Sequence, residues 1–222
     1  MVYFPYGETE IAYLKGRDKR LGKAIDQIGP VYRETEGDLF TSVVHQIVGQ
    51  QISSAALRTV WARLVEKAGT VTPEALCRCG REELQSCGIS FRKAEYILAF
   101  ARRVETGELD LEALARLPDQ EVIRILSALP GIGVWTAQML LIFCLQRPDV
   151  VSFGDLGIRR GMRMLYRHRE IDRERFARYA KRYSPYGTVA SLYLWAIAGG
   201  AIPGLTDPAA RPPKSKGKQT GE

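Results

Sequence analysis

A chain of 222 residues suffices for one large domain or two small ones, and 45% hydrophobic with 26% charged residues is the balance of an ordinary globular protein. The net charge of +7 and a pI near 9.3 favour a polyanionic partner without requiring one. The start, MVYFPYGETE, lacks the basic-then-apolar pattern of a secretory signal, so the expected location is cytoplasmic, and nucleoid-associated in a bacterium.

Helical periodicity dominates from there on. Residues 38–50 read as a helix. In 54–67 the positions Leu57, Val60, Trp61, Leu64 and Val65 form one apolar stripe, which places Trp61 in the core. Tyr96, Ile97, Phe100 and Val104 repeat the pattern in a helix beginning at Arg92. Further helices are predicted over 119–128, 134–146, 156–166, 172–181 and 189–198. The one short strand candidate, 150–153, reads as a connector. Gly69-Thr70, Gly88-Ile89-Ser90, Gly107-Glu108 and Pro130-Gly131 mark turns.

Residues 183–206 carry no charge. Their continuous apolar part, 189–198, is only about half of the ~20 residues a membrane span needs, and Gly199, Gly200 and Pro203 break it. A buried core helix is expected, and no membrane. The basic tail 211–222 is expected to be disordered. The fold class implied is all-α: a single domain over 1–210, built as a two-lobed helical bundle with a central cleft.

Cys77, Cys79, Cys87 and Cys144 match neither paired zinc spacings nor an iron–sulfur run, and are read as reduced structural thiols. Two histidines, His45 and His168, are too isolated for a metal site. No metal and no resident cofactor are expected.

The most informative stretch is LPGIGVWTAQMLLIFCLQRPDVVSFGD, residues 129–155. Two glycines around Ile132 allow a tight turn between helices and close approach of another backbone. The helix that follows begins at Val134, so its first amides and positive dipole end are expected to face outward, where a phosphate would bind. An ordinary helical hairpin would look the same. Asp155, in SFGDLGIRR, stands where the N-cap of the next helix would stand.

The surroundings separate these readings. LPGIGxxTA, an apolar helix and an Asp some twenty residues on resemble the helix-hairpin-helix DNA glycosylase superfamily. Upstream, Asp38-Leu39-Phe40 leading into QIVGQQIS (46–53), then GIS (88–90) with RKAEYI (92–97), are similar to its alkylation-repair members. Ser184-Pro185-Tyr186-Gly187 and Tyr193-Leu194-Trp195 resemble their final helix. The likeness runs over roughly residues 8–205 and is nearest to the DNA-3-methyladenine glycosylase II branch, without the extra N-terminal β domain that some members carry.

That resemblance implies a monofunctional glycosylase of base excision repair, which flips 3-methyladenine-type purines out of damaged double-stranded DNA and hydrolyses the N-glycosidic bond. Asp155 matches the catalytic aspartate. Trp135 occupies the position where lyase members carry a nucleophilic lysine, so no Schiff base is expected. Its indole is either a wall for a cationic base or core packing. Trp195, Phe40 and Tyr186 are further candidates for the base pocket or for the core. Gln51 falls where the family inserts a side chain into the DNA, or is a polar helix end. His45, one turn earlier, reads as a polar helix-face residue.

Gly131, Gly133 and Thr136 are expected to grip phosphate through backbone amides, and Arg159 and Arg160 through their charge, with Arg163, Arg167, His168, Arg92 and Lys93 as weaker candidates. A monovalent cation on the hairpin carbonyls in the DNA complex is implied by the resemblance alone. A monomer is expected. Two other readings stay open: a glycosylase for a deaminated or oxidised base, and a non-catalytic hairpin module that only binds DNA. A helical regulator of protein partners is more remote.

Overall fold

The computed structural model describes residues 2–210; the basic tail at 211–222 lies outside the described residues. Among those described, twelve helices follow in order: α1 (Glu8–Arg17), α2 (Lys19–Ile28), α3 (Leu39–Gly49), α4 (Ser54–Ala68), α5 (Pro73–Ser86), α6 (Phe91–Glu105), α7 (Leu111–Arg116), α8 (Asp119–Ser127), α9 (Val134–Phe143), α10 (Leu156–Tyr166), α11 (Arg173–Tyr183) and α12 (Gly187–Ala198). The all-α expectation holds. Among the described residues the only β pairing is an isolated antiparallel bridge between Tyr3 and Glu34. Segment 150–153 is a connector, with Ser152 fully buried and its hydroxyl donating to Gln138 Oε1 at 2.6 Å.

The helix starts are written in the sequence. Asp18, Asp38, Ser53, Thr72, Ser90, Asp110, Asp155 and Asp172 each accept a first-turn amide with the side chain, an arrangement that stabilises a helix by about 1 kcal/mol apiece. Helix α9 stops at Phe143, three residues short of its predicted end. The Leu145 amide bonds back to Leu140, Gln146 turns left-handed at φ 52°, and Pro148 follows, so the backbone ladder has nothing to continue it.

The chain divides into two compact units. One comprises residues 2–5 with Tyr32–Gly154. Its core is α3, α6 and α9: Val43, Val44, Ile47, Ile97, Phe100, Leu140 and Leu141 are buried. Each such side chain contributes about 1.5–3 kcal/mol of hydrophobic stabilisation. Helix α5 packs along α6, α8 along α9, and α4 lies against α3 and α5. The α4 stripe is covered only in part. Leu64 is buried, but Trp61 is half-buried and Val65 is 38% exposed, which corrects the core assignment of Trp61. The Trp61 ring meets His45 edge-on at 4.8 Å.

The second unit comprises Tyr6–Val31 with residues 155–210. Helix α12 is buried almost throughout its first two turns, as the charge-free stretch required, and it packs on α10 and α2. Gly161 makes the α10–α12 crossing close: a Cβ there would lie 2.2 Å from the Leu194 carbonyl oxygen. Among the described residues no helix is long and apolar enough to cross a membrane. Beneath α2, the buried Asp18 accepts from Tyr166 Oη at 2.8 Å, and that hydroxyl lies 2.7 Å from Tyr183 Oη.

The four thiols are free. Burial pushes Cys77 up to about 11, and raises Cys79, Cys87 and Cys144, so they stay protonated, as expected of structural cysteines. Among the described residues no cluster of His, Cys, Asp and Glu could hold a metal ion.

Candidate functional site

The hairpin between α8 and α9 lies wholly in the first unit. Ile132, 4% exposed, plugs the turn into the core, and its amide bonds to the Leu129 carbonyl at 3.1 Å. The two glycines do different things. Gly131 has φ 84°, and a Cβ there would sit 2.6 Å from Tyr96 Cδ2. Gly133 has an extended φ of −91° with nothing within 4 Å of a Cβ, so no steric demand selects glycine. Its effect is to leave the α9 N-terminus bare. It is an N-cap without a side-chain bond, and Gly133, Val134 and Trp135 are exposed while Thr136 is buried.

The α3 C-terminus approaches this hairpin. Gln50 caps α3, and its Nε2 donates to the Gly131 carbonyl at 2.6 Å. Gln51, exposed, adopts the left-handed region at φ 57°, a conformation uncommon for a residue with a Cβ. Lys93, expected as a weak phosphate contact, instead turns its ammonium inward: Nζ donates to Val48 O at 3.0 Å and Gln50 O at 2.6 Å. Desolvation, with Arg92 nearby, lowers its pKa from the ordinary lysine value. A groove of about 540 Å³, a volume usual for ligand sites, is lined here by His45, Gln46, Gln50, Gln51, Trp135 and Thr136. Trp135 is 45% exposed, so the core-packing alternative fails for it.

Asp155 opens the second unit. It is 7% exposed, and its Oδ1 accepts two hydrogen bonds: from the Ile158 amide at 2.8 Å and from Trp195 Nε1 at 2.9 Å. The first is the N-cap of α10, which the sequence left as an alternative. The second was not legible. Trp195, a candidate pocket wall, is half-buried with its N–H on the carboxylate, so its place is beside Asp155. The two bonds fix the Asp155 carboxyl group in one orientation at the start of α10.

The other candidates separate. Phe40 is 6% exposed and stacks on Phe100 at 5.1 Å; it is a core residue, which corrects its inclusion among base-contacting side chains. Tyr186, half-buried, meets Tyr13 edge-on at 5.2 Å. Arg163 is ion-paired to Asp207, with Nε 3.0 Å from Oδ1, while Arg159 is half-buried and the Arg160 side chain is 53% exposed. His168 bonds to Tyr179 Oη at 2.7 Å, and Arg167 ends α10 in the left-handed region. Arg160 also lies on Asp207, with Nε 3.9 Å from Oδ2, and Arg167 is exposed.

Residues 44–185, which contain the Gln50-Gln51 turn, the hairpin and Asp155, match the model of the HhH-GPD superfamily base excision DNA repair proteins. The chain belongs to that superfamily. It is 31% identical over 191 residues to a Schizosaccharomyces pombe protein named DNA-3-methyladenine glycosylase 1, covering 82% of this chain and 84% of that one. Its fold is similar to that of the Bacillus halodurans DNA-3-methyladenine glycosidase, with a TM-score of 0.82, 40% identity, and coverage of 90% and 93% of the two chains. A Schizosaccharomyces pombe 3-methyladenine DNA glycosylase, solved with abasic DNA, superposes with a TM-score of 0.73 at 28% identity, covering 85% of this chain and 96% of that one. Superfamily membership accounts for the hairpin.

Proposed function

We propose that this protein is a DNA-3-methyladenine glycosylase, a base excision repair enzyme that removes alkylated purines from double-stranded DNA by hydrolysis. The observation that carries the reading is Asp155: a buried carboxylate whose Oδ1 is fixed by Trp195 and the Ile158 amide, in a superfamily whose relatives here are named for this activity.

The chemistry follows from charge. Breaking an N-glycosidic bond builds positive charge on the sugar, which an oriented carboxylate stabilises while it positions or deprotonates the attacking water. An alkylated purine already carries positive charge and leaves with little protonation, so a second, acidic carboxyl is not required. Trp135 offers an exposed indole face to such a cation as the nucleotide leaves the stack, and Gln51, on the same groove, fills the gap behind it. The bare amides at the start of α9, at Gly133, Val134 and Trp135, receive the backbone phosphate.

Position 135 holds no amine, so the reading is a hydrolase without lyase activity, acting as a monomer and without a resident cofactor. A monovalent cation in the DNA complex would be held by hairpin carbonyls, where it would tie the hairpin to a phosphate. Leu129 O and Gly131 O each accept one hydrogen bond in this structure, and a carbonyl oxygen has two lone pairs.

The test is release of free bases from randomly methylated duplex DNA. The expected products are methylpurines and intact apurinic strands, with release abolished in Asp155→Asn. Release that survives this substitution refutes the mechanism. Strand nicking or a borohydride-trapped adduct refutes the monofunctional reading, and binding without release favours a non-catalytic module.

A further inference from the structure

Helix α6 contacts both the hairpin and the C-terminus of α3. Tyr96 packs where a Gly131 side chain would be, and Lys93, one turn earlier, bonds to the last carbonyls of α3. Gln50 closes the triangle through its bond to Gly131. The result is a continuous chain of contacts: Lys93 to the Gln50 carbonyl, the Gln50 side chain to Gly131, and Gly131 to Tyr96, which returns to α6. Gln51 sits at its free corner, in a backbone conformation that needs outside support.

A cation at a helix C-terminus is favourable in its own right, and here it does more. Helix carbonyls at Val48 and Gln50 would otherwise let the turn fray. Two charge-assisted bonds fix the direction in which residue 51 leaves α3. A half-buried lysine with two carbonyl acceptors is ill placed to reach for phosphate. We infer that Lys93 is a positioning residue: by clamping the α3 C-terminus it holds Gln51 in the geometry for insertion into DNA, and through Gln50 it keeps that side chain in register with the hairpin. The inference rests on the glycosylase reading for the purpose of the insertion, not for the clamp itself.

The experiment uses the full chain and two probes. The first is a duplex with 2-aminopurine beside a tetrahydrofuran abasic analogue, whose emission reports insertion without any chemistry. The second is methylated duplex under single-turnover conditions. Lys93→Met keeps the stem and removes the donors. It is expected to lose most of the emission change and to slow base release about 10- to 100-fold, as displaced positioning groups do. Affinity for undamaged duplex and its slope against log salt stay close to wild type. Lys93→Gln, a shorter donor, gives an intermediate loss and serves where the methionine variant does not fold, as judged by thermal melting. Gln51→Ala loses the emission change, and Asp155→Asn keeps it while releasing nothing.

A salt slope smaller by about one unit in Lys93→Met means that the lysine lies on a phosphate, and overturns the inference. Wild-type emission and release in that variant overturn it as well, as does an emission change that survives in Gln51→Ala. If wild-type protein releases no base, the glycosylase reading fails, while the emission arm still decides the clamp.

Discussion

Trp195→Phe tests whether the indole N–H serves the carboxylate. The substitution keeps an aromatic ring over Gly157, where Trp195 Cδ1 lies 2.8 Å from the position of a Cβ, and removes only the donor 2.9 Å from Asp155 Oδ1. A hydrogen bond to a charged group contributes about 1.5–3 kcal/mol, which corresponds to roughly 10- to 150-fold in rate if it acts in the transition state. Single-turnover release from methylated duplex should therefore fall by that factor, while affinity for a duplex with an abasic analogue stays within about threefold. A double-mutant cycle supplies the decisive arm. On an Asp155→Glu background, which keeps a carboxylate but moves it out of register with the indole N–H and should retain slow release, Trp195→Phe should have little further effect. Additive losses would refute the argument and return Trp195 to the role of a pocket wall, as would a fall in affinity as large as the fall in rate.

The two hairpin glycines should part company. Gly131→Ala forces a Cβ into Tyr96 at a φ of 84° and should destabilise the fold by about 2–4 kcal/mol in urea unfolding. Gly133→Ala has open space and should cost only about 0.5–1 kcal/mol, yet weaken duplex binding by shielding the α9 amides. For Asp207, the Arg163 guanidinium holds its carboxyl below the usual range. A depressed folded-state pKa adds stability above the unfolded value near pH 4, and that stability is lost as pH falls through the folded value. Asp207→Asn should therefore be less stable than wild type at pH 6, by about 1–2 kcal/mol for this partly buried pair in urea unfolding, and the difference should shrink below pH ~4.

The helices that the sequence revealed are those with long apolar faces or whole caps. Asp38, Ser53 and Asp155 announce α3, α4 and α10, and each does cap its helix. Helix α1 stayed hidden because it buries only Leu14, whereas α2 does carry an apolar face, Leu21, Ala24 and Ile25, behind the Asp18 cap, and was legible in the sequence. Thr72-Pro73-Glu74, a cap followed by proline at the first helical position, could have disclosed α5, but Gly80 kinks that segment at φ 74° and breaks its periodicity. Trp61 was misread because a stripe specifies which side faces inward, not how much partner surface covers it.

The site divides along the same line. The turn, the hairpin and Asp155 are local patterns, readable in consecutive residues. Lys93 on Gln50 and Trp195 on Asp155 join residues 43 and 40 positions apart, and no spacing rule connects them. Asp155 shows why this matters for mechanism. On sequence, the cap and the catalyst were two readings of one carboxylate that need not exclude each other. In the structure the cap bond is to Oδ1, the atom that also takes the Trp195 N–H, so the capping interaction is part of what orients the group. A carboxylate held only by a flexible side chain would lose much of its effect on a developing sugar cation, since positioning and fixed dipoles supply the larger part of such stabilisation. On the proposed mechanism the helix start would therefore give the reaction its aim, and the distant tryptophan would reinforce it.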